Sequence, residues 1–192
     1  MKADSSLVSC VIPSPNNSGR RVYPLTRISI HCVVGQTSVE SLGYLFADPD
    51  FGASSNYGVG YDGKIGQYVA ESDRSWCTSS YDNDNRAITI ETASDTFEPY
   101  RVTDSAYKGL IKLLVDICRR NGKKRVLWFA DKNKSLNYQP KSDEIVLTVH
   151  RWFCSYKSCP GDYLYNLHGQ IAAEVTKQLG GSPAPTKVTR WC

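Results

Sequence analysis

The stretch that decides the fold is EIVLTVHRWFCSYKSCPGDYLY, residues 144–165. Its first seven residues, EIVLTVH, are rich in apolar and β-branched types, and they read as a strand that ends on His150. Pro160 then opens a helix through YLYNLHGQIAAEVTKQL, which Gly180 and Gly181 stop. Earlier in the chain RISIHC, residues 27–32, alternates in the same way and closes on His31 and Cys32. Two strands that each deliver a histidine to their carboxyl end point to the mouth of a sheet, where ligands bind.

The remaining segments fit around these strands. QTSVESLGYLFADP reads as a helix with Thr37 and Glu40 as its capping box. Val39, Leu42, Leu45 and Phe46 form its apolar face, and Pro49 closes it off. SNYGVGYDGKIGQYV is a β-hairpin with its turn near Asp62-Gly63. RAITIET is a further strand behind a polar loop, YDNDN. TDSAYKGLIKLLVDICRRNG is a helix that starts at Thr103 or Asp104. It carries Leu110, Leu113, Leu114 and Ile117 on one side and stops at Asn121-Gly122. Residues 1–26 are polar and turn-rich, with PSPNNSGRR, residues 13–21, as an exposed arm or loop. The order implies an α/β fold, a mixed central β-sheet flanked by helices. Residues 1–180 form one domain. Residues 181–192 read as a linker or tail, with a further module expected beyond.

Composition narrows the function. A chain of 192 residues buries roughly 70% of its unfolded surface and needs no disulfide to hold a core. Its seven cysteines are odd in number and irregularly spaced, and no CxxC pair occurs, so they read as reduced thiols. A net charge of +4 without a Lys/Arg stripe gives no reason to expect nucleic acid, and weakly suits a polyanionic surface such as a bacterial wall. The N-terminus lacks a signal peptide's charged and apolar regions, and no apolar run is long enough to insert in a membrane. Cytoplasmic synthesis is expected. The sequence implies no particular oligomeric state.

His31, His150 and Cys159 have the makings of a three-ligand zinc set with a position left open. Read separately, each is equally a packed core or surface residue. His168 stands apart within its helix and reads as a structural or surface residue. Lys157, two residues before Cys159, is either a solvated loop lysine or a cation aimed at a developing oxyanion.

Four stretches taken together, ISIHCVVGQTSVESLG, SSNYGVGYDGKIGQYV, NDNRAITIETASDT and KSCPGDYLY, resemble the zinc N-acetylmuramoyl-L-alanine amidases. That family is shared by phage endolysins, bacterial wall-recycling amidases and animal peptidoglycan recognition proteins. The resemblance runs over about residues 11 to 180 and lies nearest the endolysin catalytic domains. It implies a peptidoglycan-recognition-protein-like fold, bacterial peptidoglycan as partner, and Zn2+ on His31, His150 and Cys159. Hydrolysis of the amide between the N-acetylmuramic acid lactyl group and L-alanine follows, as in host-cell lysis after release to the wall.

The same resemblance gives Lys157 the role of oxyanion stabiliser. It makes Glu91 the general base and places the Tyr57 hydroxyl beside the attacking water. Loops near residues 50–57 and 72–86 are then expected to line the substrate cleft, with Trp76, Tyr81, Asn83, Asn85 and Arg86 as substrate contacts. The alternatives are a non-catalytic peptidoglycan-recognition module, a cysteine hydrolase using Cys159 or Cys32, and a domain with a purely structural zinc. Cys32 alternates with His31 on its strand and is expected in the core.

Overall fold

A computed structural model describes residues 1–183, and most of the tail expected at 181–192 lies outside the described residues. The centre is a strand buried along its whole length, β3 (Arg27–Cys32). It pairs in parallel with β7 (Ala87–Thr92) on one side and β9 (Glu144–Thr148) on the other. These strands put opposite chemistry on their two faces. Ile28, Ile30, Ile88, Ile90, Ile145 and Leu147 point into the main core, while Ser29, His31, Thr89 and Thr148 lie buried on the other side. Only strands covered on both faces bury both sets, as in parallel sheets packed between helices.

The sheet has seven strands in the order β1-β5-β4-β7-β3-β9-β8. Its outer members are β1 (Val8–Val11), β4 (Tyr57–Val59), β5 (Ile65–Gln67) and β8 (Arg125–Leu127). The hairpin β4–β5 is antiparallel, as read from the sequence, and Gly63 in its turn takes φ +83°. β1 and β8 at the edges both pair in parallel, so the sheet is mixed. One face is covered by α3 (Asp104–Arg120) and α5 (Gly161–Gln178), through Leu110, Leu113, Leu114, Ile117, Leu164, Ile171 and Val175. Thr103 caps α3 by accepting the Ala106 N–H at 3.0 Å. α1 (Val39–Ala47) builds a smaller cluster from Leu42, Phe46 and Tyr68.

Several expectations are corrected. PSPNNSGRR is not a free arm: β2 (Asn17–Arg20) within it pairs with β6 (Asp73–Ser75), and just before it β1 joins the sheet edge. β2 and β6 are built from polar residues and glycine, and β1 is only four residues long, so no extended hydrophobic period marks them. YDNDN is not a loop but the start of α2 (Tyr81–Arg86), capped by Ser80, which accepts the Asn83 N–H at 3.3 Å. The cap of α1 is Ser38 rather than Thr37, and Leu45 faces solvent while Val39, Leu42 and Phe46 are buried. α4 (Lys132–Asn137) fills the stretch before β9. Among the described residues no helix is long and apolar enough to cross a membrane.

Candidate metal centre

The carboxyl ends of β3, β7 and β9 bring the key donors together. His31 is the fifth residue of β3 and is 0% exposed. Ser29, two residues earlier and so on the same face, places its hydroxyl 3.2 Å from His31 Nε2. His31 Nδ1 then faces the cleft, 3.3 Å from Cys159 Sγ. His150 lies two residues beyond the end of β9, at the start of a one-turn 3-10 helix, His150–Trp152. Its ring centroid is 5.1 Å from that of His31. Ligand atoms of His31, His150 and Cys159 all fall within 4.8 Å of one another.

The donor set suits zinc. Two imidazoles and a thiol are borderline-soft ligands, and a 3.3 Å gap between nitrogen and sulfur fits two ligands of one ion with bonds of about 2.0–2.3 Å. Burial lowers the His31 pKa well below its ordinary value, with His150 adding to the effect. His150 is brought down to about 4 by burial and then by Lys157. Both rings are therefore neutral at pH 7, the form that donates a lone pair. Position before a helix favours a Cys159 thiolate, yet burial dominates and raises the thiol well above its usual value. A cation among these donors reverses that balance, because coordination deprotonates a thiol outright. The sulfur also accepts the Cys32 N–H at 3.4 Å. The loop that carries it is braced by Arg151, which donates from its backbone to the Cys159 carbonyl at 3.0 Å and from its guanidinium to Asp162 at 3.0 Å.

Glu91 is in register with His31 across β7 and β3, with Oε1 3.8 Å from His31 Nδ1. Burial raises its pKa well above the carboxylate range, and Lys157 partly offsets this. Lys157 itself is exposed on the turn closed by its N–H to the Cys154 carbonyl at 3.1 Å, with Nζ 5.8 Å from the Tyr156 ring centroid. Cys154 is buried and joins neither metal-capable group.

Residues 21–162 match the profile of a family described as N-acetylmuramoyl-L-alanine amidase. The chain belongs to this family. Solved structures of the same fold include the catalytic domain of XlyA, at 16% identity and TM-score 0.55 over 88% of this chain and 99% of that one. A selenomethionine AmpD derivative matches at 19% identity and TM-score 0.59, covering 93% and 99%. Drosophila peptidoglycan recognition protein SD matches at 19% and 0.56, covering 85% and 94%. Comparison with curated proteins gave no match.

Against this amidase framework, several sequence-expected site residues sit elsewhere. Tyr57 pairs with Ile90, one residue out of phase with Glu91, so its ring enters the opposite face of the sheet. Its hydroxyl donates to Glu71 at 2.7 Å and does not reach the metal donors. Asn83 is 0% exposed and accepts the Thr148 hydroxyl at 3.1 Å. Asn85 is also buried, accepts the Val22 N–H at 3.1 Å and donates to the Tyr81 carbonyl at 3.0 Å. Both amides are buried and engaged in hydrogen bonds within the chain.

Arg86 lies at the far end of the strands. It pairs with Asp82 at 2.9 Å and lines a cavity of about 190 Å³ with Arg27, Ser135 and Tyr138. Four residues of strand separate that end from His31, roughly 13 Å. The expected 50–57 wall is divided: residues 54–57 are buried, while Asp50, Phe51 and Gly52 are exposed. Trp76 and Tyr81 remain exposed. Trp76 Nε1 donates to Ser18 at 2.7 Å, and the Arg74 guanidinium sits 4.6 Å from the Tyr81 ring centroid. His168 is structural, as expected: it is buried, hydrogen-bonded to the Leu164 carbonyl at 2.6 Å and packed 4.6 Å from Trp128.

Sequence reading missed three residues at the site. Ser29 was legible from strand alternation with His31. Ser79, with its hydroxyl 3.5 Å from His150 Nε2, and Cys77, 3.9 Å from Glu91 Oε1, arrive on an irregular segment that no period marks.

Proposed function

We propose that the chain is a zinc-dependent N-acetylmuramoyl-L-alanine amidase that cuts peptidoglycan between the lactyl group of N-acetylmuramic acid and L-alanine. The observation that carries this reading is the convergence of His31, His150 and Cys159 within 4.8 Å, with the Glu91 carboxylate 3.8 Å from His31. Zinc, when bound, supplies Lewis-acid polarisation of the scissile carbonyl and makes hydroxide available at neutral pH.

The chain's own residues do the rest. Ser29 fixes the His31 ring so that Nδ1 faces the cleft, and the Cys32 N–H holds the Cys159 sulfur in place. Glu91 accepts a proton from the attacking water and hands it to the departing L-alanine amine. Its raised pKa suits a group that must both take and return a proton near neutral pH. Lys157 lends positive charge where the tetrahedral oxyanion develops, and its field is already felt at Glu91 and His150. Tyr57 has no part in this scheme. Trp76 and Tyr81, exposed on the segment that leads into and opens α2, are the contacts we retain for substrate. An endolysin-type role in bacterial lysis is supported by the likeness to the XlyA catalytic domain and to the endolysin LysCS from Clostridium intestinale.

The test is release of amino groups from purified peptidoglycan, with reducing ends counted in parallel, before and after chelation and zinc add-back. Amino groups rising alone, lost on chelation and restored by zinc, with fragments that map to the lactyl–alanine bond, support the reading. Zinc-loaded protein that binds several walls and releases nothing would make it a recognition module.

A further inference from the structure

Two groups of potential ligands meet at one imidazole nitrogen. Cys159 Sγ lies 3.3 Å from His31 Nδ1, and Glu91 Oε1 lies 3.8 Å from the same atom. Cys77 Sγ is 3.9 Å from that same carboxylate oxygen. Ligand atoms of His31, Cys77 and Glu91 all lie within 4.8 Å of one another, as do those of the His31, His150 and Cys159 set.

Cys77 is held there by structure and not by chance of a loose loop. Its backbone N–H donates to Asp84 Oδ2 at 3.2 Å, and the next residue, Thr78, donates its N–H to Asp84 Oδ1 at 3.1 Å. Asp84 is itself buried on α2. Among the described residues, the second oxygen of Glu91 is buried without a hydrogen-bond partner. A buried carboxylate oxygen in that condition is costly unless a donor or a cation meets it.

We infer that His31, Cys77 and Glu91 form a second seat for a thiophilic divalent cation, one that cannot be filled together with the first because both seats need His31 Nδ1. An imidazole, a thiolate and a carboxylate form a mixed donor set that zinc, cobalt and cadmium accept, and the sulfur tilts it toward the softer ions. Cys77 gives up its thiol proton to solvent on coordination. A cation in this seat engages Glu91 and so removes the carboxylate from proton transfer. That consequence rests on the proposed role of Glu91 as base, whereas the seat does not.

The experiment uses the full chain with Co2+ as a spectroscopic probe. Cys159→Ser removes the only thiol of the first seat. The expected result is that this variant still binds about one Co2+ per chain with thiolate-to-cobalt charge-transfer absorption. Adding Cys77→Ser should abolish that absorption. A folded Cys159→Ser protein whose bound cobalt shows no thiolate absorption overturns the proposal.

Should Cys159→Ser fail to fold, His150→Asn disables the first seat by its other arm. There, adding Cys77→Ser is expected to weaken cobalt binding by tenfold or more, and unchanged binding overturns the proposal. Neither readout uses turnover. Their failure leaves the amidase reading standing, and absence of amide hydrolysis leaves the second seat standing.

Discussion

His31 Nδ1 and Cys159 Sγ lie 3.3 Å apart although 128 residues separate them in the chain. The contact exists because β3 is central in the sheet and the loop after β9, its parallel neighbour, folds back over the β3 carboxyl end. Two close ligand atoms without a cation gain little from each other. With one, their binding energy adds to folding energy. Zinc-loaded protein should therefore melt above chelated protein, and His31→Ala, which removes the ring both groups of ligands share, should lose most of that gap along with bound zinc. Calorimetry with metal analysis checks this. Equal melting temperatures with and without zinc would detach the triad from metal.

Glu91 and Lys157 make a separable pair of predictions. Glu91→Gln keeps the shape and removes the proton acceptor, so turnover should fall by about 10²–10⁴-fold. Lys157→Ala should lower kcat by on the order of 10²-fold, as loss of an oxyanion donor does. Zinc content should stay near wild type in both, because neither belongs to the His31, His150 and Cys159 set. Near-normal turnover in either variant removes that residue from the mechanism.

His168 gives the fold a pH dependence with a defined sign. Burial brings its pKa down to about 4 from the ordinary 6.5. Between those values the unfolded ring binds a proton and the folded ring does not. Stability must then fall as pH drops through this window, and is fully present above it. The full effect is about 3 kcal/mol in order of magnitude. His168→Asn, whose amide can still reach the Leu164 carbonyl, should flatten the difference in urea stability between pH 6.5 and 4 relative to wild type. An unchanged slope would mean the ring is protonated in the folded chain.

The parts of this fold that were legible in the sequence are those with a strong period or a chemical stop. RISIHC and AITIET alternate, Thr103 caps a long apolar stripe, and Pro160 opens the last helix, so the frame could be read directly, with His31 in its strand and His150 just past the end of another. β1, β2, β6 and α2 escaped because they are short, and all but β1 are built mostly from polar residues. Asn83 and Asn85 looked like surface groups because amides usually are. Here they are buried as hydrogen-bond struts that tie α2 to β9 and to Val22. Cys77 carried no signal at all, since its place beside Glu91 depends on Asp84 gripping the backbone around it.

Tyr57 shows how one residue of strand phase changes a functional assignment. Gly58, not Tyr57, pairs with Glu91, so the side chain that shares a face with the carboxylate is a hydrogen atom. The Tyr57 hydroxyl instead donates to Glu71, which Arg120 grips with two hydrogen bonds of 2.7 and 2.9 Å. Tyr57→Phe should therefore leave amide hydrolysis within about twofold of wild type. It should cost stability by about 1.5–3 kcal/mol, the usual worth of a hydrogen bond to a charged group, with the Arg120 pair limiting the loss to the low end. Parallel measurement of turnover and urea midpoint separates the two roles. A large fall in kcat at unchanged stability would return the hydroxyl to the reaction and require the hairpin to rearrange when substrate binds.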